Sequence, residues 1–406
     1  MIDTGCKRFR VHSLISAVLT TCVWAGLMIV AQPTLAAVDK ITSSTEIALT
    51  TPSRAIPESA LLDVGIVGLN DGLELTDEDD TVFPEIRFAE SIYFSNQLAK
   101  ILEKSGAWGA VRVIPNQDII VDLYITGTIL QSDGETLALD IQVVDSSEVI
   151  WFAQNYKQIV GKYAYDRRLK SLGDPFQNLF VRIANDLLAY REGLSKLQAE
   201  QLRQLSELRF AKLFAPQAFD NYVGEKRNGI LTIERLPASD DSILQRVQKI
   251  RDRDYLYIDS MQDYYDEFSQ RMHIPYQDFR RSSYDSVVKA RQLKKQGNSR
   301  IIAGVGAVLA GIYGRSQATS SIANDASIAT AAVGGYVVKS GLEKKQQAAS
   351  YNEAVAEMGV SLEAEIAPRV IALEDQTITL TGTVQGQYQQ WQELLQKIYQ
   401  QERGDL

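Results

Sequence analysis

Three closely spaced strand patterns between residues 121 and 160 constrain the fold of this chain more than any other feature. The patterns are VDLYITGTILQ, LALDIQVVDS and EVIWFAQNYKQIV, each rich in β-branched and aromatic residues. The linker SDGET joins the first two and contains Asp133-Gly134, a pair that β-hairpins favour, and DSSE joins the last two. Because such short connections join antiparallel neighbours, the sequence predicts a three-stranded meander.

The segments on either side of the meander predict two further strands and two helices. The apolar runs LLDVGIVGL and AVRVIP are typical of buried strands. Between them, apolar residues at helical spacing predict a helix that Gly106 ends. A second helix follows the meander, with Asp174 as its N-cap and Pro175 at its first position. This order predicts an α+β fold, a small mixed sheet with helices on one face.

The stretch DLYITGTILQSDGETLALDIQVVDSSEVIW resembles a hairpin shared by a group of bacterial envelope proteins. The group comprises the curli secretion-channel lipoprotein, the lipoprotein activators of penicillin-binding proteins and the amino-terminal domain of the Tol translocation protein. The matching positions are Gly127, Ile129, Val143, Val144, Asp145, Val149 and Trp151. The resemblance implies an α+β envelope-type domain over residues 59–195. Because members of the group differ in activity, it implies no particular function.

Residues 196–300 are almost continuously helix-prone. Ser239 or Asp240 is predicted to cap the second long helix, which Pro275 ends or bends. The segment NGILTIERLP before it is either a short strand or a connector. An apolar and aromatic stripe recurs along this helix at spacings of three and four, formed by Tyr257, Met261, Tyr264, Tyr265, Phe268 and Met272.

Two interpretations of this stripe remain open. Core packing is the first. Because amphipathic aromatic rings suit protein interfaces, the second is a surface for a partner protein or for stacking on glycan strands of peptidoglycan. The candidate interface residues are Tyr257, Tyr264, Tyr265 and Phe268.

The segment IIAGVGAVLAGIYG, from Ile301 to Gly314, is as apolar as a membrane span. Its 14 residues would form a helix of about 21 Å, whereas a hydrocarbon core is about 30 Å thick. Small residues recur four apart here and again in ASIATAAVGGYVVKSG, which lets two helices approach closely. The sequence predicts a glycine-zipper helical hairpin over 301–342, resembling outer-membrane glycine-zipper proteins. Its packing positions are Ala303, Gly306, Ala307, Ala310, Gly311, Gly314, Ser327, Ala331, Gly334 and Gly335.

Three environments for the predicted hairpin remain open. The hairpin is buried inside the soluble fold, or it inserts into a membrane or an oligomeric bundle of such hairpins, or it is a disordered linker. Basic residues flank it on both sides, at Lys294, Lys295 and Arg300 and then at Lys339, Lys344 and Lys345.

The two ends of the chain predict a targeting signal and a small module. Residues 1–36 combine basic residues, an apolar run and small residues before the cleavage point, which predicts a cleavable secretory signal peptide. An uncleaved inner-membrane anchor is the alternative. A flexible linker is predicted over 37–58. Residues 343–406 contain the strands PRVIAL and QTITLTGTV and a helix, a small strand-strand-helix module similar to the envelope-associated BON repeat.

Composition argues against several classes of chemistry. Both cysteines, Cys6 and Cys22, lie in the predicted signal peptide, so the mature chain would hold no thiol, although lipidation of Cys22 remains an alternative. Cleavage would also leave His273 as the sole histidine. No cofactor, metal site or catalytic residue is therefore expected. Removing the signal moves the net charge from −9 to about −11, so nucleic acid is not an expected partner.

Taken together, these patterns favour a non-enzymatic cell-envelope accessory or assembly protein in the periplasm, associated with the outer membrane. The expected partners are envelope proteins and peptidoglycan, with membrane contact through 301–342 and homo-oligomerisation as further expectations. One alternative is an oligomeric outer-membrane secretion or pore component that inserts its apolar hairpin. A second is an enzyme that acts on cell-wall glycan through a pair of carboxylates.

Overall fold

The computed structural model describes residues 42, 45–75, 82–165, 174–238, 240–295, 357, 369–372 and 377–404. All of them belong to one compact unit, Ile41–Leu406. The fold is mixed α+β, as predicted from the sequence. The predicted signal peptide (1–36) and the predicted glycine-zipper hairpin (301–342), with all ten of its packing residues, lie outside the described residues.

The main sheet has five strands in the order β2-β1-β3-β4-β5. They are β1 Val64–Val67, β2 Val111–Ile114, β3 Leu123–Ser132, β4 Thr136–Asp145 and β5 Ile150–Ile159. Helix α1, Pro84–Ser105, connects β1 to β2, which pair in parallel, and β1 also pairs in parallel with β3. β3, β4 and β5 pair antiparallel, so the predicted meander is confirmed. The Asp133 carboxylate stabilises its first turn by accepting the N–H of Thr136 at 2.7 Å.

At β4 one face of the sheet is buried and the other is open to solvent. Leu139, Ile141 and Val143 on β4 are at most 1% exposed, whereas Asp140 between them is exposed. This alternation is the period of two that a half-buried strand requires. Helix α1 packs against β1 and β2, and helix α2, Gln177–Glu192, packs against β5. The prediction of helices on one face of the sheet is confirmed.

Four further helices and two small hairpins follow. The helices are α3 Lys196–Phe214, α4 Pro216–Phe219, α5 Ser242–Lys295 and α6 Val384–Gly404. The hairpins pair β6 Val223–Glu225 with β7 Leu231–Ile233, and β8 Arg369–Ala372 with β9 Thr377–Leu380. The segment NGILTIERLP therefore contains a strand, and the strand-strand-helix order predicted for the carboxy terminus is present. The second predicted strand of that module ends early, because Val384 is already helical.

The helix boundaries correct three predictions. α2 begins three residues after Asp174, whose carboxylate accepts the N–H of Phe176 at 2.8 Å before the helix starts. Asp241 rather than Asp240 caps α5, since its carboxylate accepts two N–H groups of the first turn; Ser239 lies outside the described residues. Pro275 lies inside α5, so the helix does not end there, and a bend at this residue stays a prediction. Met272 and Tyr276, close to it in sequence, are fully buried, and this core packing offsets the cost of the proline to the helix.

The helices after residue 195 share one hydrophobic cluster with the sheet. Ser195 caps α3 through a capping box with Gln198. α5 packs on α1, β2 and α3, and α6 packs on α5. The long helix α5 is thus a central element of the described body.

The expectation of a flexible linker over 37–58 does not hold for its second half. Residues 45–53 lie along α2, and side chains of that helix bind their main chain. Side chains of α2, rather than a strand or helix of the arm itself, supply the hydrogen bonds of its main chain. The sequence of the arm therefore needs no apolar period.

Candidate functional site: the polar seam beneath the long helix

The structure places the aromatic stripe of α5 in the core. Tyr257, Tyr265 and Phe268 are at most 6% exposed. Tyr257 stacks on Trp391 of α6 with their ring centroids 4.9 Å apart. The prediction of these three as interface residues is wrong, because the chain itself buries them, and core packing explains the stripe. Tyr264 is half-buried and stays a candidate for an interface.

Polar side chains of α5 lie along the line where this helix packs on α1, α3, α6 and the edge of the sheet. We call this line the α5 seam. Its members on α5 are Arg251, Asp254, Asp259, Gln262, Tyr276 and Arg280. At 1.5 Å per residue the seam extends over about 44 Å of helix.

The middle of the seam covers the open edge of the sheet. β2 is one of the two edge strands, and the side-chain amide of Gln262 pairs with the main chain of Val113 in both directions, at 2.8 and 2.9 Å. Beside it, Arg112 of β2 donates two hydrogen bonds to Asp259, at 2.6 and 3.2 Å. These contacts satisfy edge groups that would otherwise be open to another strand.

The amino-terminal part of the seam joins α5 to α3 and the start of β3. Arg251 donates to Ser206 at 3.0 Å, and Ser206 donates to the carboxylate of Asp122. Asp122 is 2% exposed and also accepts the N–H of Asp63 at 2.8 Å. Burial raises the pKa of Asp122, and the charge of Arg251 opposes that rise. The cluster fixes the relative position of three elements.

Near its carboxy-terminal end, the seam buries a glutamate between α1 and α5. Tyr276 donates to Glu90 at 2.5 Å, and Ser132 of β3 donates to the same oxygen at 2.7 Å. Arg87 lies 3.4 Å from the other carboxylate oxygen. Burial raises the pKa of Glu90, against the opposing charge of Arg87. With these contacts, Glu90 joins α1, α5 and the β3–β4 hairpin.

Four residues further along α5, Arg280 is 1% exposed and donates to both oxygens of Asp174, at 3.1 and 3.2 Å. Its guanidinium lies over the ring of Tyr276, 4.1 Å from the centroid. Asp174 also accepts from Gln277 at 2.7 Å and from Tyr93 at 3.3 Å. The additional donors to Asp174 offset part of the cost of burying this charge pair, whereas Nε and Nη2 of Arg280 have no hydrogen-bond partner among the described residues.

At its amino-terminal half, the seam also carries the contact between α5 and α6. Asp254 is 3% exposed and accepts from the indole N–H of Trp391 at 3.1 Å and from the hydroxyl of Tyr388 at 3.3 Å. Burial raises the pKa of Asp254 to about 6, against the lowering effect of these two hydrogen bonds. The charge of this carboxylate therefore changes near pH 6.

Replacing Asp254 by asparagine is expected to remove a pH dependence of stability. Because the folded-state pKa of about 6 lies above the ordinary value of 3.8, protonation stabilises the folded chain as the pH falls through 6. Between about pH 8 and pH 4, the difference in free energy of unfolding between parent and variant should change by up to about 3 kcal/mol. Urea unfolding at a series of pH values measures it.

Asp252→Asn, an exposed position on the same helix, is the matched control for this titration. Its difference from the parent should stay constant across the same pH range. A constant difference for Asp254→Asn as well would contradict the assignment of this titration to Asp254.

A cavity of about 150 Å³ lies between α1, α2 and α5, and its lining includes Lys100, Lys104, His273 and one carboxylate, Asp174. That carboxylate is engaged by Arg280 and its other donors. The cavity therefore lacks the two-carboxylate pair that glycan cleavage requires. Across the described residues there is no group of three or more metal-ligating side chains, and no helix there is long and apolar enough to cross a membrane.

Comparison of the chain with protein-family models, curated proteins and solved structures found no match in any of the three. The resemblances to the curli-channel group, to the BON repeat and to glycine-zipper proteins therefore stay predictions.

Proposed function

We propose that this chain is a non-enzymatic cell-envelope accessory or assembly protein that acts through protein contacts at the periplasmic face of the outer membrane. The described body holds both ends of residues 296–368, the segment that includes the predicted glycine-zipper hairpin. The hairpin supplies the contact surface, and the body supplies a fixed frame for it.

The observation that carries this proposal is the attachment of α5 and α6 along one seam. α5 ends at Lys295, and the chain re-enters the described body at Arg369 and continues into α6. α6 is hydrogen-bonded to Asp254, which lies about 60 Å from Lys295 along the axis of α5. Asp259 and Gln262 of α5 are hydrogen-bonded to β2, so both flanks of the segment belong to one compact unit. Such a frame suits the presentation of a segment to partners better than it suits catalysis.

Fractionation of envelope membranes tests this proposal. The mature chain is expected to stay with outer-membrane fractions at low salt and to be released by high salt or carbonate, as a protein held by protein contacts would be. Retention after carbonate treatment would instead support the pore alternative, in which the hairpin is inserted.

Leucine at Gly311 or Gly335 is expected to reduce complex formation. The added side chain would separate the two predicted helices, and overpacking of this kind costs about 1–3 kcal/mol. The yield of cross-linked complex should fall about tenfold. Sizing of cross-linked, detergent-solubilised envelopes measures the yield.

Val308→Leu is the matched control, since Val308 lies in the same apolar run but outside the rows of small residues. Its complexes should form as in the parent. If all three variants form complexes equally well, the hairpin does not supply the contact surface.

A further inference from the structure

The outer face of α2 binds an extended stretch of the chain through a ladder of side chains. Asn178 accepts the N–H of Ile47 at 2.9 Å and donates to the carbonyl of Thr45 at 2.9 Å. Asn185 repeats this pattern one step along, accepting from Thr50 at 2.8 Å and donating to Ala48 at 3.0 Å. We call residues 45–53 the strap and the α2 face beneath it the track.

Glu192 adds the third step of the ladder. Its carboxylate accepts the N–H of Ser53 at 2.8 Å, and this hydrogen bond is the main cause of a lowered pKa for Glu192. The three track residues are seven apart on α2, and the N–H groups that they bind are three apart on the strap. Two helical turns advance about 10.5 Å, and three extended residues advance about 10 Å. The two distances agree, so the spacing of the track residues fits an extended segment.

The ladder binds mainly the main chain of the strap. Five of its hydrogen bonds involve N–H or carbonyl groups of the strap, and Glu192 adds one to the side chain of Ser53. Ile47, Leu49 and Pro52 are the half-buried residues of the strap, and its other residues are exposed. Recognition of an extended peptide by its main chain, with small pockets for alternate side chains, is an established mode of peptide binding.

The chain next to the strap is firmly attached, which limits where the strap can pivot. Arg191 donates to the carbonyl of Ala60 at 2.6 Å, and Arg203 donates to the carbonyl of Glu58 at 2.7 Å. Residues 54–57 lie between these attachments and the ladder and include Pro57. A pivot in this short stretch would leave β1 undisturbed and would free the strap once the hydrogen bonds between Thr42 and Ile159 of β5 open as well.

We propose that the track is a site for extended polypeptide and that it accepts the strap of a second copy of this chain. The sequence whose fit to the track is shown is that of residues 45–53, and a second copy carries the same sequence. Exchange would replace every ladder bond in the closed chain by an identical bond between copies, so it costs little apart from association entropy. This assembly uses a surface distinct from the hairpin of the proposed function, and either can fail without the other.

Two complementary variants of the full-length chain test the exchange. Asn178→Leu/Asn185→Leu keeps the strap but disables the track. Thr50→Pro/Ser53→Pro keeps the track but removes two strap N–H donors. Since the second variant's own strap no longer fills its track, the strap of the first variant should bind there. In light scattering, each variant alone should have a lower molar mass than the main species of their equimolar mixture. That species should be a complex with one copy of each variant.

The first variant mixed with the parent is the control, because the parent's track is already occupied, and this mixture should show at least about tenfold less complex. A synthetic peptide of residues 45–56 gives a second readout. It should bind the Thr50→Pro/Ser53→Pro chain at least about tenfold more tightly than it binds the parent or the same chain carrying Asn185→Leu. No complex in the complementary mixture, or peptide binding that Asn185→Leu leaves unchanged, overturns the proposal.

Discussion

Replacing Arg280 by methionine is expected to lower the free energy of unfolding by about 3–5 kcal/mol. Methionine fills a similar volume but leaves the carboxylate of Asp174, whose side chain is 7% exposed, without its cationic partner. It also removes the guanidinium from between the rings of Tyr276 and Phe176, which lie 4.1 and 4.6 Å from it. Urea unfolding followed by circular dichroism measures the loss.

Arg281→Met is the matched control, one residue along the same helix. Arg281 is 35% exposed and pairs with Asp278 three residues earlier, a surface pair that contributes less than about 1 kcal/mol. Adding Asp174→Asn to the Arg280→Met chain should recover part of the loss, because asparagine can still accept the N–H of Phe176 without burying a charge. Equal losses for the two arginine variants would show that burial of the pair does not matter.

The meander could be predicted from the sequence because its determinants are local. Alternating side chains and the Asp133-Gly134 turn specify strands that are neighbours in both sequence and space. The position of β1 between β2 and β3 could not be predicted in the same way. It depends on parallel pairing between segments separated by α1, and no turn residue encodes such pairing.

The carboxy-terminal part of the seam was not predicted, although the helical spacing of the stripe continues into it. The stripe of α5 continues from Met272 to Tyr276 and then to Arg280 at spacings of four. The predicted stripe stopped at Met272, because proline often ends or bends a helix and arginine is rarely buried. Met272, Tyr276 and Arg280 are all at most 1% exposed. The helical spacing therefore predicts their burial better than the usual behaviour of proline and arginine does.

The strap and its track show a different limit. Asn178, Asn185 and Glu192 fall at heptad spacing, but polar residues at that spacing are also typical of a solvated helix face. The strap itself has no apolar period. The fit between strap and track is seen only when the rise along α2 is compared with the rise along the extended strap. This comparison requires the structure.

Replacing Trp391 by alanine is expected to weaken the docking of α6 by about 3–5 kcal/mol. The change removes the ring that stacks on Tyr257 at 4.9 Å and leaves the buried carboxylate of Asp254 with Tyr388 as its remaining donor from α6. α6 makes its main packing contacts with α5 rather than with the five-stranded sheet, so the loss should be local. Hydrogen exchange should show protection of α6 amides reduced by a factor of at least about 100, while β1 to β5 stay protected.

Glu393→Ala, two residues along and on the exposed face of α6, is the control and should leave exchange unchanged. Equal loss of protection in the sheet after Trp391→Ala would contradict a locally docked α6. The same variant links stability to the proposed function. Once α6 is released, one end of residues 296–368 is no longer held on the frame, so the yield of cross-linked envelope complex should fall even though the hairpin sequence is intact. A parental yield would show that anchoring both ends is unnecessary.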